Sequence, residues 1–220
     1  MHRFRFCLSA FLALSVWLLP RPLCAKPIAF ANGTTVMAEY GAGTMEEVQV
    51  FYAPRHFYSA GFGHLALESD IDGSSRDITY ARLNYLVKRW NLEAAQANVF
   101  VWGGAGQAHV GETSNELSSW NTGAQADYET RRLYGALKSE LHESSAFSHR
   151  IDTLQLGVAP YKHDYNTLAT WLVVQARRYT GEIHNGTEYA LLLRFFKRNT
   201  WVEAGSTADG KLQAMVMLNF

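Results

Sequence analysis

The tripeptide His142-Glu143-Ser144 combines residue types and spacing that are suited to covalent catalysis. In an extended strand, residues two apart lie on the same face, so the His142 imidazole can activate the Ser144 hydroxyl as a nucleophile. The pair adjoins a serine-rich stretch, since Ser145 follows directly. This spacing predicts a hydrolase as the alternative function of the chain, not as its main one.

The other histidines do not have the spacing of metal ligands. His56 and His64 are eight residues apart and would share a strand face without sharing a metal ion. The glycine-rich run Gly103–Gly106 is not followed by the Lys-Ser/Thr pair of a phosphate-binding loop. The sequence therefore predicts no metal site and no cofactor.

Cysteine content and charge exclude several classes of function. Both cysteines, Cys7 and Cys24, fall within residues 1–25, where Arg3 and Arg5 precede a short apolar run, as in a secretory signal peptide. Three of the 20 basic residues and none of the 20 acidic ones lie in that segment, so residues 26–220 carry 17 and 20, a formal charge of −3. We expect no disulfide, no thiol catalysis and no nucleic-acid partner.

Residues 26–220 divide into short runs of alternating apolar and polar residues separated by turn residues, which is typical of strands with two different faces. Ser119–Glu129 is a clear case, because an apolar face bracketed by Trp120 and Tyr128 alternates with a polar one. Ile78–Arg89 and Leu133–His142 also fit a helical stripe, and the sequence leaves open whether they are strand or helix. Counted as strands, they belong to twelve predicted segments: Thr35–Ala42, Glu46–Ala53, Phe57–Leu67, Ile78–Arg89, Gln96–Gly106, Ser119–Glu129, Leu133–His142, Asp152–Ala159, Leu168–Tyr179, Tyr189–Phe196, Thr200–Gly205 and Lys211–Phe220.

The final segment ends on a bare phenylalanine. Phe220 and every second residue before it are apolar, back to Leu212. This pattern resembles the closing strand of bacterial outer-membrane β-barrels. The resemblance implies an all-β fold, an antiparallel up-and-down transmembrane β-barrel of about twelve strands over residues 26–220, in the cell outer membrane. It also implies that Phe220 is the assembly signal read by the periplasmic barrel-assembly machinery, with outer-membrane lipids as the surroundings. The oligomeric state and the exact strand number are not predicted.

The lengths of the connections are consistent with that topology. If both ends of the chain are periplasmic, the odd-numbered connections are extracellular and should be the longer ones. The predicted odd connections are longer, except the first and the last. A soluble lipocalin-like barrel would share the alternation but would bury its apolar face inside. The sequence favours the membrane barrel because of the terminal phenylalanine and the asymmetry of the connections.

The faces predicted to point inward carry charges of both signs. Five residues are predicted to line the lumen and set its selectivity, namely Arg82, Lys88, Asp127, Arg177 and Arg194. The other charged or titratable residues predicted to face inward are Glu39, Glu47, His64, Glu68, Glu129, Lys138, Glu140 and Glu203. Such charges either pair across a plugged lumen or form rings that select small solutes.

The main prediction is a small porin-like channel or a structural surface protein with a mixed-charge lumen. The alternative is a lipid hydrolase, because outer-membrane phospholipase A and the lipid A deacylases use a His-x-Ser pair on a strand. Those enzymes usually have an asparagine after the serine, where this chain has Ser145. They present their site toward lipid, whereas the predicted register turns His142 toward the lumen.

Overall fold

The computed structural model describes residues 31–111, 116–162 and 167–220, and it is a closed barrel of twelve antiparallel strands. The strands are β1 (Gly33–Gly41), β2 (Met45–Arg55), β3 (Tyr58–Glu68), β4 (Ser75–Asn91), β5 (Ala95–Val110), β6 (Leu117–Thr130), β7 (Leu133–Ser144), β8 (Ser148–Val158), β9 (Ala169–Tyr179), β10 (Thr187–Lys197), β11 (Thr200–Thr207) and β12 (Leu212–Asn219). Each strand pairs with its neighbours in chain order, and β1 pairs with β12. The all-β fold, the prediction of about twelve strands and the up-and-down order are confirmed. The predicted signal peptide lies outside the described residues.

Both segments that the sequence left open are strands. β4 pairs with β3 and β5, and β7 pairs with β6 and β8, each along most of its length. Their apolar residues spaced by two, such as Leu83 and Tyr85, point outward, while the alternating residues Arg82 and Asn84 are buried. The period-two alternation of these two segments, and not their helical stripe, therefore corresponds to the observed structure. In the described part of the chain, no helix is long and apolar enough to cross a membrane.

Apolar side chains cover the outside of the barrel, and polar side chains fill its interior. Phe62 is 69% exposed, whereas Arg194 is 2% exposed. The exposed apolar set includes Val48, Val50, Phe62, Leu83, Tyr85, Leu137, Leu154, Leu156, Val174, Leu191, Leu193 and Val216. Because a water-soluble barrel would show the opposite distribution, this is a β-barrel of the outer-membrane type, and the lipocalin-like alternative is wrong.

The barrel is closed by β1 and β12. Thr35 and Asn219 face each other across this seam, and the Thr35 hydroxyl donates to the Asn219 side-chain oxygen over 2.7 Å. The Phe220 backbone N–H donates to the Thr34 carbonyl (2.9 Å), and the Phe220 carbonyl accepts from the Thr34 N–H (3.0 Å). The apolar alternation before Phe220 faces outward as expected, since Leu212, Val216 and Phe220 are exposed.

Deletion of Phe220 is expected to impair assembly. The deletion removes two seam hydrogen bonds, a loss of about 1–3 kcal/mol, together with the terminal aromatic side chain. We expect less heat-modifiable, folded barrel in the outer-membrane fraction of cells than for a Phe220→Leu control, which keeps both backbone bonds. Refolding into detergent should suffer less than assembly in cells. Normal assembly in cells without Phe220 would count against its predicted role as a signal.

The two ends of the barrel differ. We call the end where β1 begins and β12 finishes the terminus end, and the opposite end the loop end. Four terminus-end connections are short, at residues 56–57, 92–94, 131–132 and 198–199. The fifth, residues 159–168, is the longest connection in the barrel, so the prediction of a short turn there is wrong. The loop end carries residues 69–74, 111–116 and 180–186.

Three of the predicted inward residues face outward. On β3, the buried positions are Leu65 and Leu67, which turns His64 and Glu68 to the outside. On β4, the register shifts between Leu86 and Lys88, so two consecutive residues lie on the outer face and Lys88 pairs with Val99. The prediction that Lys88 lines the lumen is wrong, because a β-bulge inverts the alternation beyond it.

Candidate functional site: the charged lumen

The interior holds a cavity of about 170 Å³ lined by side chains of opposite charge. Its cationic lining residues are Arg82, Lys138, Arg177 and Arg194. Its anionic lining residues are Glu39, Glu47, Asp127, Glu129, Glu140 and Glu203. Four of the five residues predicted to set selectivity therefore line the lumen, and Lys88 does not.

The first group in the lumen joins β4 to β7 across the interior. Arg82 Nη1 donates to Glu140 Oε1 over 2.5 Å, and Lys138 Nζ lies 2.9 Å from Glu140 Oε2. The Arg82 and Glu140 side chains are 4% and 3% exposed. The Arg82 guanidinium also lies 5.0–5.4 Å from the ring centroids of Tyr80, Phe51 and Trp102. One carboxylate thus holds two cations, and aromatic faces cover the guanidinium.

The second group joins β9 to β1, where Arg177 Nη2 donates to Glu39 Oε1. A glutamine relay lies beside it. Gln175 donates to Gln213 over 2.8 Å, and Gln213 in turn donates to Glu188. This relay links β9, β12 and β10 inside the barrel. The inward set predicted from the sequence contains only charged or titratable residues and therefore omits these two amides, although they follow the same inward alternation; it also omits Glu188.

The third group lies between β10 and β11. Arg194 Nε donates to Glu203 Oε1 over 2.8 Å, and the indole N–H of Trp201 donates to the same oxygen over 2.6 Å. The guanidinium is sandwiched between Tyr134 and Trp201, 4.2 and 4.3 Å from their ring centroids. The Arg194 guanidinium is therefore paired with the Glu203 carboxylate along one edge, and the two aromatic rings pack against it.

Asp127 is held by an amide. Asn98 Nδ2 donates to Asp127 Oδ1 over 2.6 Å, and the Asn98 side-chain oxygen accepts from Arg89 Nε over 2.6 Å. Both Asn98 and Asp127 are buried. On β2, Glu47 accepts a 2.6 Å hydrogen bond from the Tyr80 hydroxyl. Sequence reasoning missed Tyr80 and Asn98, which orient lumen carboxylates.

The structure does not assemble a catalytic pair from His142 and Ser144. His142 is buried in the interior, stacked on His149 with ring centroids 5.0 Å apart, and its Nε2 lies 3.3 Å from Glu140 Oε1. The Ser144 hydroxyl instead accepts a hydrogen bond from the Ala146 N–H (3.1 Å) in the turn after β7. Nothing in this arrangement supports the hydrolase alternative. Within the described residues, no group of three or more His, Cys, Asp or Glu side chains is arranged to hold a metal ion.

Two connections form a cap over the loop end. We define the cap as residues 69–74 and 180–186. The Ser69 hydroxyl donates to the Glu182 carbonyl (2.7 Å), the Asp70 N–H donates to the Ile183 carbonyl (3.0 Å), and His184 Nδ1 lies 2.5 Å from Asp70 Oδ2. Backbone and side-chain contacts therefore tie the two connections together.

An arginine at the start of β4 fastens the cap to the wall. Arg76 Nη2 donates to the Gly181 carbonyl over 2.7 Å, and Arg76 Nη1 lies 3.3 Å from His149 Nδ1. Within the cap, hydrogen bonds from Ser74 and Ser69 lower the pKa of Asp72 to about 2. Asp72 consequently keeps its charge at ordinary pH.

Beneath the cap, an apolar cluster fills the loop end of the lumen. Ile183 of the cap is 1% exposed and packs with residues from opposite walls. The buried cluster contains Met45, Leu65, Leu67, Ile78, Tyr80, Ala108, Phe147, Ile151, Tyr179 and Ile183. The charged cavity is therefore closed at its loop end in this conformation.

Comparisons with known proteins give limited similarity. No protein-family model matches the chain, and no curated protein matches it. Among solved structures, a KdgM porin in complex with disordered oligogalacturonate has a TM-score of 0.48 at 10% identity, and a second KdgM porin structure has 0.45 at 11%; each comparison covers 86% of this chain and 98% of that one. CdiB from Acinetobacter baumannii has a TM-score of 0.30 at 9% identity, over 87% of this chain and 61% of that one. From its own structure, the chain is a twelve-stranded β-barrel of the outer-membrane type with a charged interior.

Proposed function

We propose that the chain is an outer-membrane channel for small polar solutes, and that its lumen prefers cations. The observation that carries this proposal is the charged, atom-free space inside the barrel. A barrel whose interior needed only to be filled would leave no cavity of about 170 Å³ lined by ten charged side chains. Because a solute passing through loses part of its hydration shell, those side chains are suited to replace it.

The outer surface supports placement in a membrane. Apolar side chains cover the wall, and exposed aromatic residues stand near both ends, including Tyr40 and Tyr189 toward the loop end and Tyr85 and Trp90 toward the terminus end. Such girdles match the two interfaces of a bilayer. Four of the five terminus-end connections are short, which supports a periplasmic placement of that end.

The preference for cations follows from the charges along the cavity. Six carboxylates and four cations line it, so the formal balance is −2. Of the three guanidinium groups, each is hydrogen-bonded to a carboxylate and at most 5% exposed. Because the carboxylates outnumber the cations by two, the residual potential of the lumen is negative, and the low-dielectric wall strengthens it.

The test is the reversal potential of single channels in a planar bilayer under a potassium chloride gradient. We expect discrete steps with preference for potassium, and a weaker preference in Glu47→Gln, which removes an inward charge from β2. Glu46→Gln is the matched control. The Glu46 carboxylate is next to Glu47 in the chain but faces outward and is exposed, whereas Glu47 is 3% exposed. The control should leave selectivity unchanged.

The cap requires a second protein in the same experiment, because in the conformation of the structure it covers the loop end of the lumen, so wild-type steps should be small or infrequent. Gly181→Val, argued in the Discussion, is expected to displace the cap and is measured alongside the wild type. Heat-modifiable gel mobility verifies folding and insertion. Silence of both inserted proteins would overturn the channel, and chloride preference would overturn the assigned selectivity.

A further inference from the structure

The two ends of the barrel carry opposite charge. Among the described residues in the connections and near the strand ends, the terminus end exposes seven cationic side chains and one carboxylate, Glu93. The seven cations are Arg55, Lys88, Arg131, Arg132, Lys162, Lys197 and Arg198. The loop end exposes three cations, Arg150, Arg178 and Lys211, against seven carboxylates. Those carboxylates are Glu46, Glu68, Asp70, Asp72, Glu116, Glu182 and Asp209.

We name the seven cations of the terminus end the basic collar. Its members belong to five different connections or strand ends, from β2 round to β11, so they surround the barrel. They stand beside exposed apolar side chains, including Trp90 (44% exposed), Leu133 (57%) and Phe57 (38%). Lysine and arginine in such positions lay their aliphatic stems along apolar surface and extend the charge toward the membrane interface.

We propose that the basic collar binds the phosphate headgroups of anionic phospholipids in the periplasmic leaflet. The proposal rests on the membrane placement given under Proposed function, but it does not need an open lumen. A ring of cations at the edge of an apolar wall lies at the depth of lipid phosphates, and positive side chains at an anionic membrane surface are attracted to it. The opposite end, with its excess of carboxylates, would repel the same headgroups.

The distribution of the collar favours lipid over a protein partner. A folded partner would contact one side of the rim and would concentrate its complementary charges there. Lys88 lies on the outer wall, whereas Lys197 and Arg198 lie at the β10–β11 turn. The collar therefore includes residues on the side of the barrel and residues at its end. Only a surface that surrounds the barrel meets all of them, and the lipid annulus is such a surface.

The test compares the full-length protein with two triple variants that each remove three exposed cations. The collar variant is Lys88→Gln, Lys197→Gln and Arg198→Gln. The matched control, at the loop end, is Arg150→Gln, Arg178→Gln and Lys211→Gln. Each refolded protein is reconstituted in vesicles of phosphatidylcholine containing spin-labelled phosphatidylglycerol or spin-labelled phosphatidylcholine. Electron paramagnetic resonance then gives the relative association of the two lipids, and heat-modifiable mobility confirms that each variant is folded.

We expect several-fold preference for phosphatidylglycerol in the wild type at low salt, and a marked decrease at high salt because the sites are at the surface. The collar variant should lose most of that preference, while the loop-end control keeps it. Equal preference in all three proteins, or an equal loss in both variants, would overturn the proposal. Loss of binding to purified cell-wall sacculi by the collar variant, with no lipid preference in any protein, would overturn it in favour of a cell-wall contact. Because lipid association is measured without ion flow, a silent channel would leave this result unaffected.

Discussion

Glu140→Ala is expected to lower the free energy of unfolding by about 3–5 kcal/mol, because it leaves the buried Arg82 guanidinium without its carboxylate. Glu140 accepts from Arg82 over 2.5 Å and contacts Lys138 at 2.9 Å, and it connects β7 to β4 across the interior. The Arg82 guanidinium is enclosed by aromatic rings and cannot turn toward bulk water. Denaturant unfolding of the refolded barrel, followed by intrinsic tryptophan fluorescence, measures the loss.

The control for this variant lies on the same strand. Glu143→Ala removes a carboxylate that, among the described residues, accepts a single exposed hydrogen bond, from Ser148, so its effect should stay within about 0.5 kcal/mol. The double variant Arg82→Met with Glu140→Met should recover part of the loss, since it removes both members of the buried pair. Equal stability of Glu140→Ala and Glu143→Ala would contradict a structural role for the cross-lumen pair.

Gly181→Val is expected to open the loop end and to raise single-channel conductance several-fold. Gly181 has a φ of +70°, and a Cβ there would lie 2.4 Å from the Ser148 carbonyl oxygen. A branched side chain therefore meets backbone that cannot yield, in a conformation that valine avoids. Displacing this residue breaks the Arg76 hydrogen bond to its carbonyl and withdraws Ile183 from the apolar cluster. Planar-bilayer recordings measure the change.

Gly186→Val is the control that separates the steric clash at residue 181 from the strain of placing valine at a positive φ. Gly186 also has a positive φ, of +91°, but a Cβ there would have no atom within 4 Å. We expect this variant to be strained without displacing residues 181–183 from the wall, so its conductance should stay near that of the wild type. If both variants conduct equally, the contact at Ser148 does not hold the cap closed.

Much of the barrel follows from local residue patterns. Alternation with period two decides which side chains share a face. In Ser119–Glu129 it predicts the outward apolar and inward polar sets that the structure has, and in the terminal strand it predicts the outward apolar set and an inward set of mixed polarity. Twelve alternating segments separated by turn residues predict an up-and-down barrel, because only closure pairs the edges of the first and last strands. Arg82, Asp127, Arg177 and Arg194 are found in the lumen for the same reason.

Alternation does not predict the correct face where a bulge interrupts regular strand pairing, or where apolar residues pack inside the barrel instead of facing lipid. The bulge between Leu86 and Lys88 reverses the faces beyond it. On β3, polar His64 and Glu68 lie outward because Leu65 and Leu67 fill the loop end of the lumen. A rule that places apolar residues toward lipid cannot anticipate an apolar plug inside the barrel.

By itself, the sequence determined the all-β class, an approximate strand number, the order of the strands, the outward apolar face and most of the charges available to the interior, since each depends on residues near one another in the chain. Only the tertiary structure decided which charges pair, that Glu140 reaches Arg82 across the lumen, and that Ile183 closes the loop end beneath a cap fastened by Arg76. Those contacts join residues on separate strands and loops. They depend on barrel diameter, stagger and loop conformation, and no local pattern specifies these quantities.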